Sequence, residues 1–189
     1  MERRAFLSLT GIALAASLAA CNTTSTPTEA AGKRQEIDAG VDAALKKLFS
    51  TTPGAQAQAD KAKAILVFPS VIAAGLVVGG EYGEGALRQG GKSVGYYKTS
   101  TASFGLQIGA QSKAVIMMFM TDDALQKFRT SDKGWTAGVD GSVAVAKTGA
   151  NGTLDTATTN APIVGFVLTN SGLMANLSFE GTKVSRLDI

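Results

Sequence analysis

Cys21 is the only thiol in the 189-residue chain, and it closes the run Leu18-Ala19-Ala20-Cys21. Small residues just ahead of a cysteine, after an apolar stretch with a basic start, resemble a bacterial lipobox. The chemistry implied is covalent. A peptidase cuts before Cys21, the thiol takes a diacylglyceryl group, and the new amino terminus is acylated, with palmitate as the expected chain. Arg3 and Arg4 form the basic start, and Ala5–Ala20 form the apolar stretch, interrupted by Ser8, Thr10, Gly11 and Ser17. That stretch is short and broken for a transmembrane helix, which needs about 20 mostly apolar residues. Residues 1–20 therefore read as a lipoprotein signal peptide, and the competing reading is an ordinary signal peptide with a chance cysteine. Arg3-Arg4-Ala5-Phe6-Leu7 also looks like a twin-arginine core, so export by either the Sec or the twin-arginine route fits. Asn22 stands where inner-membrane lipoproteins usually carry Asp. It favours an anchor in the outer membrane, facing the periplasm.

The remaining candidates for chemistry are weak. With no histidine, the chain has no Ser-His-Asp triad, Cys-His pair or HExxH zinc site. One cysteine leaves no intramolecular disulfide and no cysteine-based metal cluster. Ala86 to Ser93 fits a loosened phosphate-loop pattern, but Val94-Gly95-Tyr96-Tyr97 follows as a strand where a phosphate loop needs a helix N-terminus. A plain β-hairpin turn with an exposed lysine is the better reading. Glu81 and Glu84 fall on opposite faces of a strand and read as solvated carboxylates. Asp122 and Asp123 suit a helix start. No GxSxG elbow and no calcium loop occur. The expectation is a non-enzymatic protein with no cofactor and no metal.

Removing residues 1–20 takes Arg3, Arg4 and Glu2 away and leaves 169 residues with 16 Lys+Arg and 14 Asp+Glu, a charge of +2. That charge is too small to point to nucleic acid. Asn22 to about Ala31 is polar with a proline, so residues 21–31 read as a flexible tether and 32–189 as one domain. From about Glu29 to Phe49 the pattern is helical, with Ile37, Val41, Leu45 and Leu48 on one face. Thr51-Thr52-Pro53-Gly54 stops that helix, and Ala55–Lys63 reads as a second one.

Strand patterns follow. Ile65–Phe68 reads as a strand ended by Pro69, and Phe104, Leu106 and Ile108 alternate. Ala114–Met120 is apolar throughout and reads as a central strand covered on both faces. Thr121 or Asp122 can cap a short helix carrying Ala124, Leu125 and Phe128. Val139–Ala146 alternates through Val143 and Val145, and Asn151-Gly152 marks a turn. Val164, Phe166 and Leu168 alternate, as do Leu173, Ala175, Leu177 and Phe179, with a hairpin turn at Asn170-Ser171-Gly172 between them. The single Trp135 reads as core or sheet edge, with a membrane interface as the alternative. The fold class is α+β: N-terminal helices on a mostly antiparallel, strongly curved or barrel-like sheet with one short inserted helix. The glycines at 75, 79, 80, 83 and 85 suit bulges and close backbone approach.

Four segments, in order, resemble the SYLF-domain family. They are Ala62–Pro69, the glycine-rich run Gly75–Gly85 with Arg88 after it, Phe104-Gly105-Leu106-Gln107-Ile108-Gly109, and Ser171 to Gly181. The resemblance spans about Lys33 to Leu187. It implies lipid binding, since eukaryotic relatives bind phosphoinositides or other acidic phospholipids, partly through an N-terminal amphipathic helix. Some relatives regulate actin, which an envelope protein does not meet. The expected partners are therefore membrane phospholipid and the covalent lipid on Cys21. Candidate head-group contacts are Lys33, Arg34, Lys46 and Lys47 on the first helix. Its stripe of Ile37, Val41, Leu45 and Leu48 is the candidate membrane-insertion surface, with packing on the sheet as the competing role. The alternative function is an envelope protein-interaction or structural module without lipid binding of its own.

Overall fold

Val115 to Phe119 are five consecutive apolar side chains, and all five are buried. Side chains along a strand alternate faces, so this strand needs cover on both sides. The computed structural model supplies it. The structure describes residues 26–75, 78–104, 111–147, 154–155, 158, 160–174 and 178–189. Helices α1 (Pro27–Thr51) and α2 (Ala55–Lys61) come first, followed by strands β1 (Ala64–Gly75), β2 (Val78–Gln89), β3 (Lys92–Phe104) and β4 (Gln111–Phe119). Helix α3 (Asp122–Arg129) leads to β5 (Trp135–Thr136), β6 (Ala144–Val145), β7 (Ile163–Thr169), β8 (Gly172–Leu173) and β9 (Lys183–Arg186). The strands form one curled half-barrel sheet in the order β5-β9-β3-β2-β1-β4-β7-β6, with β8 paired to β7. Every pairing is antiparallel except β6 with β7. The α+β architecture is the one expected.

The two faces of the sheet carry two cores. On one, Ile116 and Met118 of β4 join Val67, Val164 and Phe166 against Ile37, Val41, Ala44 and Leu48 of α1. On the other, Val115, Met117 and Phe119 join Leu66, Phe68 and Val167 against Leu125 and Phe128 of α3. The ring of Phe128 lies 5.0 Å from Tyr97, 4.9 Å from Phe119 and 5.9 Å from Trp135. Trp135 is thus a core residue, and its membrane-interface alternative is withdrawn. Thr121 caps α3 by accepting from the Ala124 amide at 3.2 Å.

Helix α1 starts at Pro27, earlier than Glu29 and inside the stretch expected as tether. Thr26-Pro27-Thr28-Glu29 looks like linker but is a capping box. The Glu29 carboxylate accepts from the Thr26 amide at 2.8 Å, and the Thr26 hydroxyl accepts from the Glu29 amide. Proline at the first helical position loses nothing, because its missing amide would have no helical partner. The hydrogen bonds from Thr26 hold the Glu29 carboxyl below its usual range.

Several strand expectations need correction. Pro69 does not end β1. The β1 register shifts between Val67 and Ser70 toward β2, and between Phe68 and Val71 toward β4, so the proline sits in a bulge that asks no ladder bond of it. Of Val139–Ala146, only Ala144–Val145 form a strand, Gly141 makes an isolated bridge to Ala137, and Val139 is exposed. The alternation there reflects Val143 and Val145 packing on the core edge. β7 is buried on both faces rather than one. Among the described residues of the last run, Gly172–Leu173 form β8 and Phe179 is buried outside a strand. Leu106, Ile108, the Asn151-Gly152 turn, Ala175 and Leu177 lie outside the described residues.

Glycine at 85 is a packing requirement. A Cβ there would overlap the Val67 carbonyl oxygen on β1 and touch the Phe68 ring. We expect Gly85→Ala to lower stability by about 3 kcal/mol, since the rigid strand backbone cannot retreat. Urea unfolding of the domain measures it. An unchanged midpoint would show that β1 and β2 are farther apart than described.

Candidate functional site: a groove between the first helix and the sheet

Helix α1 does not cover its face of the sheet evenly. One of its edges is clamped. The Asp38 carboxylate accepts from Ser93 Oγ and from Tyr96 Oη, the latter at 3.0 Å. Arg88 on β2 donates to the Asp38 carbonyl at 3.2 Å, to Asp42 Oδ1 at 2.7 Å and to the Gly91 carbonyl at 3.1 Å. These bonds tie α1 to the β2–β3 hairpin. Below the helix, Gly40 meets Pro69 of the β1 bulge. A Cβ at position 40 would lie 2.9 Å from the proline ring, so glycine sets the closeness of helix and sheet.

The other edge of α1 leaves an open groove of about 1010 Å³. Its helix wall is Glu29, Gly32, Lys33, Glu36, Gly40, Ala43 and Lys47. The sheet side brings Pro69, Ser70 and Ile72 of β1, Tyr82 and Glu84 of β2, Ser112 to Ala114 of β4, and Leu168 and Asn170 at the end of β7. Ile72 and Tyr82 are direct cross-strand neighbours, and they remain 52% and 49% exposed. The groove thus pairs an apolar floor with a charged rim.

Two of the lining cations, Lys33 and Lys113, are ion-paired. Lys33 lies 2.9 Å from Glu84, which also accepts from the Tyr82 hydroxyl at 2.8 Å. Lys113 lies 2.8 Å from Glu81, with both side chains mostly buried. Glu81 and Glu84 do take opposite faces, but they are ion-paired and half-buried, not the solvated carboxylates expected. Burial, then the hydrogen bond and charge of Glu84, push the Tyr82 phenol up to about 12. Lys47 Nζ donates to the Thr169 carbonyl at 3.0 Å. Among the described residues, no group of three acidic, histidine or cysteine side chains is placed to hold a metal ion.

The structure separates the predicted site residues. Lys33 and Lys47 line the groove. Lys46 is exposed. Arg34 is half-buried on the clamped edge, where its charge reaches Tyr96. The four cations therefore form no single cluster. The insertion stripe also needs correction. Ile37, Val41 and Leu48 are buried and Leu45 is packed against the same core, because the sheet face beneath them has no other cover. Cys21 lies outside the described residues. The phosphate-loop lookalike is a hairpin whose two turn residues, Gly90 and Gly91, have φ of 58° and 79°, as a type I′ turn requires. Ile72 and Tyr82 had no local signal in the sequence. Their exposure depends on where α1 lies, which strand alternation cannot tell.

The Tyr82–Glu84 contact makes a spectroscopic prediction. Raised above its ordinary 10.0, the phenol contributes stability that is complete below pH 10 and is lost as pH rises through about 12. Absorbance at 295 nm should show the Tyr82 ionisation near pH 12. Glu84→Gln should move it down toward 10, since the acceptor's charge is gone. An unmoved step would mean the two side chains do not touch.

The family model described as "Ysc84: Las17-binding protein actin regulator" matches residues 100–188. No curated protein matches the chain. The matched stretch runs from the end of β3 through β9, and takes in the second half of the segments that resemble the SYLF family. With those segments and the fold, the match is consistent with assignment to the SYLF (Ysc84) family, a family of lipid- or actin-related modules.

Proposed function

We propose that this chain is a lipid-binding SYLF module of the bacterial envelope, held at the outer membrane by acyl groups on Cys21, which takes a phospholipid at the groove beside α1. The groove carries the reading. Its volume of about 1010 Å³ is at the upper end of small-molecule sites. Its floor of Pro69, Ile72, Tyr82 and Leu168 suits an acyl chain, while Lys33, Glu36 and Lys47 on the rim suit a polar head. The preference for acidic phospholipid rests on the family resemblance and on Lys46 and Lys47, neighbours near the end of α1. The actin role named in the family description is not brought to this chain, because the lipobox sends it out of the cytoplasm.

A tether raises the effective concentration of a weak site at the surface it is tied to. Intrinsic affinity is therefore measured without the acyl group. Residues 22–189 hold every residue of both cores. They should co-sediment with vesicles of anionic phospholipid at low salt, less with neutral vesicles, and less again at high salt, where charge is screened within a few Å. Lys46→Glu with Lys47→Glu should weaken anionic binding tenfold or more, as each basic residue at such a surface contributes roughly 1 kcal/mol. If nothing sediments with either vesicle, the acyl chains supply all the attachment and the module serves protein partners instead.

A further inference from the structure

Helix α1 leaves Ile72 and Tyr82 exposed toward one end of the sheet. The row Ser112–Ile72–Tyr82–Ser100 crosses β4, β1, β2 and β3. Beyond it, toward the β1–β2 connection, the backbone pairings are Gln111–Ala73–Glu81–Thr101, Ala74–Gly80–Ala102, Gly75–Gly79–Ser103 and Val78–Phe104, with Glu81 as the one acid. Glu81 is neutralised by Lys113 at 2.8 Å. In sequence, residues 71–80 and residues 99–112 contain no charged side chain. The pairings bring residues 71–75, 78–80, 99–104 and 111–112 to one end of the half-barrel.

That end is also where the chain enters the fold. Glu29, Gly32 and Lys33, in the first turns of α1, line the same groove as Ile72 and Tyr82, and Lys33 reaches Glu84. Four residues separate Cys21 from the Thr26 cap, a span of at most about 18 Å. A lipid anchor on Cys21 therefore holds this end, and not the β2–β3 hairpin end, against the bilayer.

We propose that the sheet end around Ile72 and Tyr82 is the surface this protein lays on a lipid bilayer, so that the groove opens directly into the membrane. The proposal rests on the lipid-binding reading, and it differs in the contact surface: Ile72 and Tyr82 enter the interface, while α1 stays on the sheet. An uncharged patch with two half-exposed large side chains suits a lipid surface, where burial is favourable and no ion needs desolvating. Tyrosine fits the boundary, with an apolar ring and a polar hydroxyl. The first charges met on leaving the patch are Glu84, which accepts from the Tyr82 hydroxyl, its ion-pair partner Lys33 and its cross-strand neighbour Lys98.

The test uses residues 22–189, which contain no cysteine. Ile72→Cys and, as a control on the exposed face of α1, Ala39→Cys are each labelled with an environment-sensitive NBD fluorophore. Vesicles of anionic phospholipid should shift the label at position 72 to the blue and brighten it, and leave the label at position 39 in water. The double variant Ile72→Ser, Tyr82→Ser should keep its circular dichroism and lose tenfold or more in vesicle affinity, from the apolar area withdrawn. A shift at position 39 and none at 72 overturns the proposal while leaving lipid binding intact. A blue-shifted label at position 72 without vesicles also overturns it, since this chain's own N-terminal segment or a second copy then covers the patch. Absence of sedimentation for the unsubstituted domain overturns the lipid-binding reading itself, and this proposal with it.

Discussion

A strand that is apolar on both faces cannot sit in a sheet with one face in water, and Val115–Phe119 of β4 is such a strand. Its two faces decide the rest of the molecule. One draws α3, Trp135 and Phe179 into an aromatic core. The other requires the apolar stripe of α1, because no other described helix of comparable length is available to cover it. Each large aliphatic side chain buried there contributes about 1.5–3 kcal/mol, so lifting Ile37, Val41 and Leu48 off the sheet together would approach the whole stability of an ordinary domain. This sum sets the structural role of the stripe above insertion in a membrane.

The groove follows from how that helix is fixed. Asp38 and Arg88 draw one edge of α1 to the β2–β3 hairpin, and Gly40 lets it settle on the Pro69 bulge. A helix held along one edge of a curled sheet must leave space along the other. The space is lined by the residues the helix cannot reach, Ile72 and Tyr82 among them. Two of its cations are paired within the protein, Lys33 with Glu84 and Lys113 with Glu81. Such pairs add little net stability where they are exposed, but they keep the rim ordered and leave the floor free for apolar contact.

Much of this was legible in the sequence. The period of α1, the two-faced β4, the Thr121 cap of α3 and the Gly90-Gly91 turn are local patterns, and local patterns survive folding. The errors came from tertiary context. Pro69 looked like a strand end because a bulge is a relation between strands. Thr26–Glu29 looked like linker because its capping bonds are made by polar residues that linkers also use. The α1 stripe was open to two roles, and only the sheet beneath it decides between them. The groove itself has no sequence signature. Its residues come from α1, β1, β2, β4 and β7, and none of them is unusual alone. The glycines at 83 and 85 were read correctly as sites of close approach, since a Cβ at either would strike β1.

The central claim is that α1 stays on the sheet when the protein meets a membrane, and that the sheet end makes the contact. Amide hydrogen exchange across the domain, with and without anionic vesicles, tests it most directly. The account predicts that amides from Ile37 to Leu48 keep their protection unchanged, while those around Ile72 and Tyr82 exchange more slowly on the vesicle. Changed exchange along Ile37–Leu48, with the sheet face of β4 exposed in step, would contradict it, and would mean that the helix leaves the sheet to enter the bilayer.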